Sequence, residues 1–114
     1  MPPTFADRLR HILDAINDID EILRDKTFES FRDDRFVRVA TERLLEIISE
    51  ASRHIPADVK ARESGIPWQR VADLGNRLRH AYHRVDPDIL WQIAKYDLVS
   101  LREFTTRIIR EAKE

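Results

Sequence analysis

The sequence contains no cysteine, only two glycines and no long apolar run. Without cysteine the chain can form no disulfide, no thiolate nucleophile and no thiolate metal site, which is typical of a reducing cytoplasm. The first residues lack the apolar stretch of a signal peptide, and no segment approaches the ~20 apolar residues of a membrane span. We therefore expect a cytoplasmic protein that does not contact a membrane.

The chain also lacks an excess of basic charge, since its formal net charge is −1. The protein as a whole does not attract nucleic acid, so any such binding must come from a local patch. Phosphate-cradling glycine-rich loops and dinucleotide fingerprints are absent as well, and no cofactor is predicted. Residues 1–114 are long enough for one domain with a core of its own, but too short for two.

Apolar residues recur at steps of three and four along most of the chain, which is the spacing of one buried helix face. Residues 27–30 are expected to connect the first two long helices, and Pro56 to open a short helix through residues 57–61. The four long helices are predicted at about 4–25, 30–53, 67–83 and 88–111. Four main helices plus one short helix predict an all-α, up-and-down bundle.

One polar stripe on the third long helix carries groups suited to RNA chemistry. With an advance of about 100° per residue, Asp73, Asn76, Arg77 and Arg84 lie within about 60° of His80. A histidine can act as general base or acid near neutral pH, and guanidinium groups bind phosphate. The stripe is therefore either a site for metal-independent RNA cleavage or an ordinary solvated face with an Asp73–Arg77 ion pair.

Gly75 lies on the opposite face of this helix, among Val71, Leu78 and Tyr82. A glycine in a helix costs about 1 kcal/mol relative to alanine, so its presence needs a reason. Close approach of another helix is the expected reason, and that helix could come from a second subunit.

The remaining histidines are weaker candidates. His11 and His54 each stand alone on a charged helix and are interpreted as surface or structural residues. His80 and His83 could share a metal ion by their spacing, but no third ligand has suggestive spacing. We therefore predict no metal site.

Several segments together resemble the HepT-like branch of the HEPN ribonucleases. The segment Leu9–Ile16 in the first helix is similar too, so the likeness covers nearly the whole chain. The segments with the strongest likeness are Ile66-Pro67-Trp68, Gly75-Asn76-Arg77-Leu78-Arg79-His80-Ala81-Tyr82, Val85-Asp86 and Ile89-Leu90-Trp91.

This resemblance implies a helical bundle that forms a homodimer, in which two motif helices meet to build an RNA-cleaving site. It also implies the toxin of a toxin–antitoxin pair, whose partner is an MntA-type nucleotidyltransferase antitoxin. In that family the antitoxin adds AMP to the motif tyrosine and so blocks the nuclease. By position, His80 is the catalytic histidine, Tyr82 the modified tyrosine, and Asn76 the polar residue one turn before the histidine.

The sequence departs from the family pattern at the motif arginine. Four to six residues should separate that arginine from His80, and the positions concerned hold Asp73, Leu74 and Gly75. Arg77 lies on the His80 face and is our predicted replacement. Arg79 is predicted as a second catalytic guanidinium. Further contacts to RNA or phosphate are expected from Arg70, His83 and Arg84.

The position of Tyr82 raises a geometric question. On a continuous helix its side chain would point about 160° away from His80. Both residues can line one site only if the helix loosens after His80 or if a dimer partner presents one of them.

The leading hypothesis is an endoribonuclease in which His80 removes the proton from a ribose 2′-OH. The freed oxygen attacks the neighbouring phosphate and leaves a cyclic phosphate end, while Arg77, with Arg79 or Arg84, stabilises the developing charge. The alternative is a catalytically weak helical subunit that binds a nucleotide or a nucleotidyltransferase partner.

Overall fold

The computed structural model describes residues 3–80 and 85–113, and this part of the chain contains helices and no strand. Four helices are long, as predicted from the apolar spacing. They are α1 (Phe5–Leu23), α3 (Arg35–Ser52), α5 (Trp68–His80) and α7 (Leu98–Lys113). Three helices are short, where one was predicted: α2 (Phe28–Asp33), α4 (Ala57–Arg62) and α6 (Pro87–Gln92). The predicted all-α bundle is confirmed.

The predicted second helix at residues 30–53 is in fact two helices, α2 and α3. Thr27 starts α2, because its hydroxyl accepts a hydrogen bond from the backbone N–H of Ser30 at 3.1 Å. Asp34 then starts α3 by accepting from the backbone N–H of Val37 at 3.1 Å. Each of these side chains satisfies a backbone donor that a helix start leaves free. The predicted connection at residues 27–30 therefore lies mostly inside α2.

The predicted last helix also differs in its first half. A π-helical turn, Ile93–Asp97, joins α6 to α7 without a gap. Wider turns of this kind insert an extra residue into the helical ladder. Apolar spacing at three and four residues did not reveal it.

Neighbouring long helices run antiparallel around the core. Arg102 of α7 donates to Asn17 of α1 at 2.6 Å, whereas Phe5, at the opposite end of α1, lines a cleft with Ile108. Trp68 at the start of α5 meets Phe104 of α7 edge to face, with ring centroids 5.3 Å apart. The core is formed mainly by aliphatic side chains of α1, α3 and α7, and among its most deeply buried members are Leu9, Ile12, Ile16, Ile19, Leu45, Ile48, Leu101 and Phe104.

The short helix α2 is attached to the bundle through aromatic rings and one buried arginine. Phe31 is fully buried, and its ring centroid lies 5.3 Å from that of Trp91 in α6. The guanidinium of Arg38, in α3, donates to the backbone carbonyl of Arg32 near the end of α2. None of the helices in residues 3–80 and 85–113 is long and apolar enough to cross a bilayer.

Candidate functional site

The candidate site lies at the carboxyl end of α5. Asp73, Asn76, Arg77 and His80 are all exposed there, on the side of the helix that faces away from the core. One turn earlier, Gln69 donates to the carboxylate of Asp73 at 2.9 Å. Asp73 is therefore held by Gln69, which differs from the Asp73–Arg77 ion pair considered from the sequence. The side chain of His80 makes no hydrogen bond with any residue that the structure describes.

Gly75 allows α5 to pack tightly against α3. A Cβ atom added at Gly75 would lie 2.0 Å from Ser49 Oγ and 2.4 Å from Ser49 Cβ. Ser49 is fully buried, and its hydroxyl donates to the carbonyl of Ala72 at 3.2 Å. The predicted close approach is confirmed, and the approaching helix belongs to the same chain.

Arg79 lies on the flank of α5 that faces α3. Its guanidinium is 3.7 Å from the carboxylate of Glu50 and 3.5 Å from the side-chain oxygen of Asn76. Its side chain is only 30% exposed. The carboxylate of Glu50 therefore holds Arg79 against α3, while Asn76 contacts it from the same helix.

Arg77 lies on the other flank of α5, at the rim of an apolar groove of about 300 Å³ between α5 and the last helical segments. Ile89, Ile93 and Leu98 form part of its wall. At the same rim, Arg70 lies 3.6 Å from the carboxylate of Asp97. The Arg77 side chain makes no hydrogen bond or ion pair within residues 3–80 and 85–113.

The structure thus brings His80, Asn76, Arg77 and Arg79 to one end of α5, but it separates the two guanidinium groups. Arg77 borders the apolar groove and Arg79 borders α3, with His80 on the ridge between them. Arg70 is paired with Asp97 farther along the apolar groove. Predictions that concern Tyr82, His83 and Arg84 lie outside the described residues.

A second groove, on the Arg79 flank, was not predicted from the sequence. We call it the basic groove, and its polar lining consists of Arg8, His11, Arg43, Glu46, Glu50 and Arg79. His11 had been interpreted as an isolated surface residue, because the chain alone does not show that α1 and α5 flank the same part of α3. The spacing of Arg8 and His11, one turn apart on α1, was the only available signal.

His54 lies near this groove but not in it. Its ring nitrogen is 3.4 Å from the carboxylate of Glu50, and the side chain is exposed. Within the described part of the chain, no three histidine or acidic side chains are placed to hold one metal ion.

Comparison with known proteins gives a consistent result. The family model described as "Ribonuclease HepT-like" matches residues 12–108. A Thermococcus cleftensis protein named "Probable ribonuclease HepT" is 41% identical over 90% of this chain and 93% of its own length. A "Putative RNase" of Methanocaldococcus jannaschii is 36% identical over 83% of this chain and 87% of its own length.

A longer protein of the same archaeon, named as a gamma-glutamylcyclotransferase and putative RNase, is 34% identical. The match covers 90% of this chain but 46% of that protein. No solved structure matches the chain.

Proposed function

Because this chain belongs to the ribonuclease HepT-like family, we propose that it cleaves RNA at the carboxyl end of α5. The observation that carries the proposal is the family match across residues 12–108, which includes an exposed His80 with Asn76 and Arg77 beside it. A histidine side chain with no partner among the described residues is available to exchange a proton with a substrate.

In the proposed reaction, His80 takes the proton of a ribose 2′-OH as that oxygen attacks the adjacent phosphorus. The bond from phosphorus to the 5′-oxygen breaks, and the leaving oxygen takes up a proton from water. The products are a 2′,3′-cyclic phosphate and a 5′-hydroxyl end. No metal ion takes part in this sequence of steps.

Arg77 is the better candidate for stabilising the negative charge that develops on the phosphate. It is exposed and has no partner among the described residues, so binding a phosphate would break no existing ion pair. Arg79 would have to leave Glu50 and Asn76 or share itself between them and the phosphate. We therefore assign Arg77 to the phosphate oxygens and Arg79 to positioning Asn76.

A cleavage assay with His80→Ala tests the site. General acid–base catalysis contributes about 10²–10⁴-fold, so the substitution should lower the cleavage rate of a fluorescent RNA by that factor. His54→Ala is the matched control, because His54 is also exposed but lies in the turn after α3 and pairs with Glu50. Cleavage by His80→Ala at the parent rate would show that the site is wrong.

A second comparison separates the two arginines. Arg77→Ala should lower the cleavage rate at saturating RNA by about 10²-fold, the cost of removing one charge-stabilising group. Arg79→Ala should act mainly through α5 packing, with a smaller change in rate and a lower melting temperature. A larger loss of rate in Arg79→Ala, with an unchanged melting temperature, would reverse the assignment.

The proposal extends to a cytoplasmic toxin that works as a homodimer and is silenced by an MntA-type nucleotidyltransferase adding AMP to Tyr82. The support is the naming of a relative as HepT together with the resemblance described above. Expression without the partner should arrest growth, and coexpression should restore growth and add AMP to Tyr82, as detected by mass spectrometry. Restored growth in a Tyr82→Phe variant would contradict control through this residue.

The second candidate is an interaction or nucleotide-binding subunit without cleavage activity. It is favoured by one observation, the absence of an arginine at residues 73–75. Tight binding of ATP or of the nucleotidyltransferase by a protein that leaves RNA intact would support this candidate.

A further inference from the structure

We propose that the basic groove binds the phosphates of the RNA strand that extends away from the cleavage site. This inference rests on the proposed function, because it assigns a path to the same substrate. It adds a binding surface formed by α1 and α3 to the cleavage site on α5.

The basic groove meets the candidate site at Arg79, whose guanidinium lies 3.5 Å from the side-chain oxygen of Asn76. Arg79 lines the groove and directly precedes His80 in the chain, so a strand cut beside His80 would reach the groove at this end. From there the lining crosses α3 at Arg43 and reaches Arg8 and His11 on α1. Since packed helices lie about 8–10 Å apart, the span from α5 across α3 to α1 is about 16–20 Å. A strand of several nucleotides is needed to cover it.

The charges of the groove suit a phosphate backbone. Its two carboxylates each face a guanidinium, with Arg43 3.3 Å from Glu46 and Arg79 3.7 Å from Glu50. Arg8 makes no ion pair or side-chain hydrogen bond with any described residue. Counted over the described residues, the groove therefore keeps one uncompensated guanidinium, that of Arg8, in a chain whose net charge is −1.

The opposite flank of α5 offers no comparable path. There Arg77 is already assigned to the cleaved phosphate, and the second arginine, Arg70, is paired with Asp97. The rest of the lining is mostly aliphatic, with the carboxylates of Asp73 and Asp97. A further phosphate placed beyond Arg77, against Ile89 and Ile93, would lose water without gaining a free donor. The two flanks thus favour a strand that runs from His80 toward α1.

The test measures binding of unstructured RNA oligonucleotides to the cleavage-deficient His80→Ala protein, with and without Arg8→Ala and Arg43→Ala together. Removing the free guanidinium of Arg8 and the Glu46-paired guanidinium of Arg43 should weaken binding at least about tenfold at about 50 mM salt. The salt slope should fall by about 0.7–1.4, for one to two phosphate contacts. The matched control removes Arg24 and Arg35, two exposed arginines at the other end of α1 and the start of α3. The control should lose much less affinity.

Oligonucleotide length provides a second arm. A dinucleotide that reaches only the cleavage site should be bound equally with and without the two arginine substitutions, and cleaved equally when His80 is present. A longer strand should be bound less tightly by the double variant.

If the double alanine variant has a lowered melting temperature, Arg8→Gln with Arg43→Gln removes the same charges and keeps most of each side chain.

Equal loss in the control pair, or an unchanged salt slope, would overturn the inference. So would a double variant that binds RNA normally but loses affinity for an acidic protein partner. Failure of the proposed function looks different, since it appears as cleavage that survives His80→Ala or as a parent protein that cuts no RNA. RNA binding that depends on Arg8 and Arg43 would still uphold the groove in that case.

Discussion

Gly75→Ala tests whether the α3–α5 contact sets the position of the candidate site. The new Cβ would lie 2.0 Å from Ser49 Oγ and 2.4 Å from Ser49 Cβ. Rotation of the serine hydroxyl could relieve the first overlap but not the second, because Cβ is fixed to the backbone. The two helices would have to move apart, or α5 would have to shift along α3.

The size of the effect follows from three contributions. Alanine is favoured over glycine in a helix by about 1 kcal/mol. Overpacking a tight contact costs about 1–3 kcal/mol, and loss of the hydrogen bond from Ser49 to Ala72 adds about 0.5–1.5 kcal/mol. Because the overlap is severe, we expect a net loss of about 2–3 kcal/mol in the free energy of unfolding. For a domain of this size that lowers the melting temperature by about 8–12 °C.

Gly65→Ala is the matched control. A Cβ atom at Gly65 would meet nothing within 4 Å, and the backbone there does not have a positive φ. This substitution should leave stability unchanged or raise it by about 0.4–1 kcal/mol, because alanine restricts the unfolded chain. Thermal melts and urea titrations of the two variants give the comparison directly.

Ser49→Gly provides the decisive rescue. It removes both atoms that the new Cβ would strike, so the double variant should be more stable than the sum of the single effects predicts, by at least about 1 kcal/mol. A Gly75→Ala protein as stable as the parent would refute the packing argument. Strictly additive effects in the double variant would refute it as well.

Two further predictions concern the helix ends. Arg38→Met should lower the free energy of unfolding by about 1.5–3 kcal/mol, because the buried guanidinium donates to the carbonyl of Arg32. Trp68→Phe leaves Trp91, which packs on α2, as the one remaining tryptophan. In that background Arg38→Met should also shift the emission maximum of Trp91. An unchanged urea midpoint together with an unchanged emission maximum would contradict this role of Arg38. Asp7→Asn should lower the melting temperature at neutral pH, because the hydrogen bond from the Thr4 backbone N–H holds the pKa of Asp7 below its ordinary value. The stabilisation is present above the ordinary pKa of an aspartate and is lost as the pH falls through the lowered pKa, so the variant and the parent should melt at the same temperature only in acid. Equal melting temperatures near neutral pH would contradict the capping role.

The helical class and the long helices could be predicted because apolar side chains must share one face of a helix to reach a core. The break at Asp34 was missed for a local reason. Its side chain caps α3 in the middle of a stretch whose apolar spacing continues across it. The π-helical turn at Ile93–Asp97 was missed because a wider turn changes the direction of side chains without a corresponding signal in residue types.

The sequence by itself determined which residues share a face of α5, since helical rotation is fixed by the backbone and places Asn76, Arg77 and His80 together. It also indicated that a helix must approach Gly75. Only the tertiary structure decided that this helix is α3 and that Arg77 and Arg79 belong to different surfaces. Only the tertiary structure joined Arg8, Arg43 and Arg79 in one groove. These relations depend on which helices become neighbours, and contacts between residues far apart in the chain leave no periodic trace in its sequence.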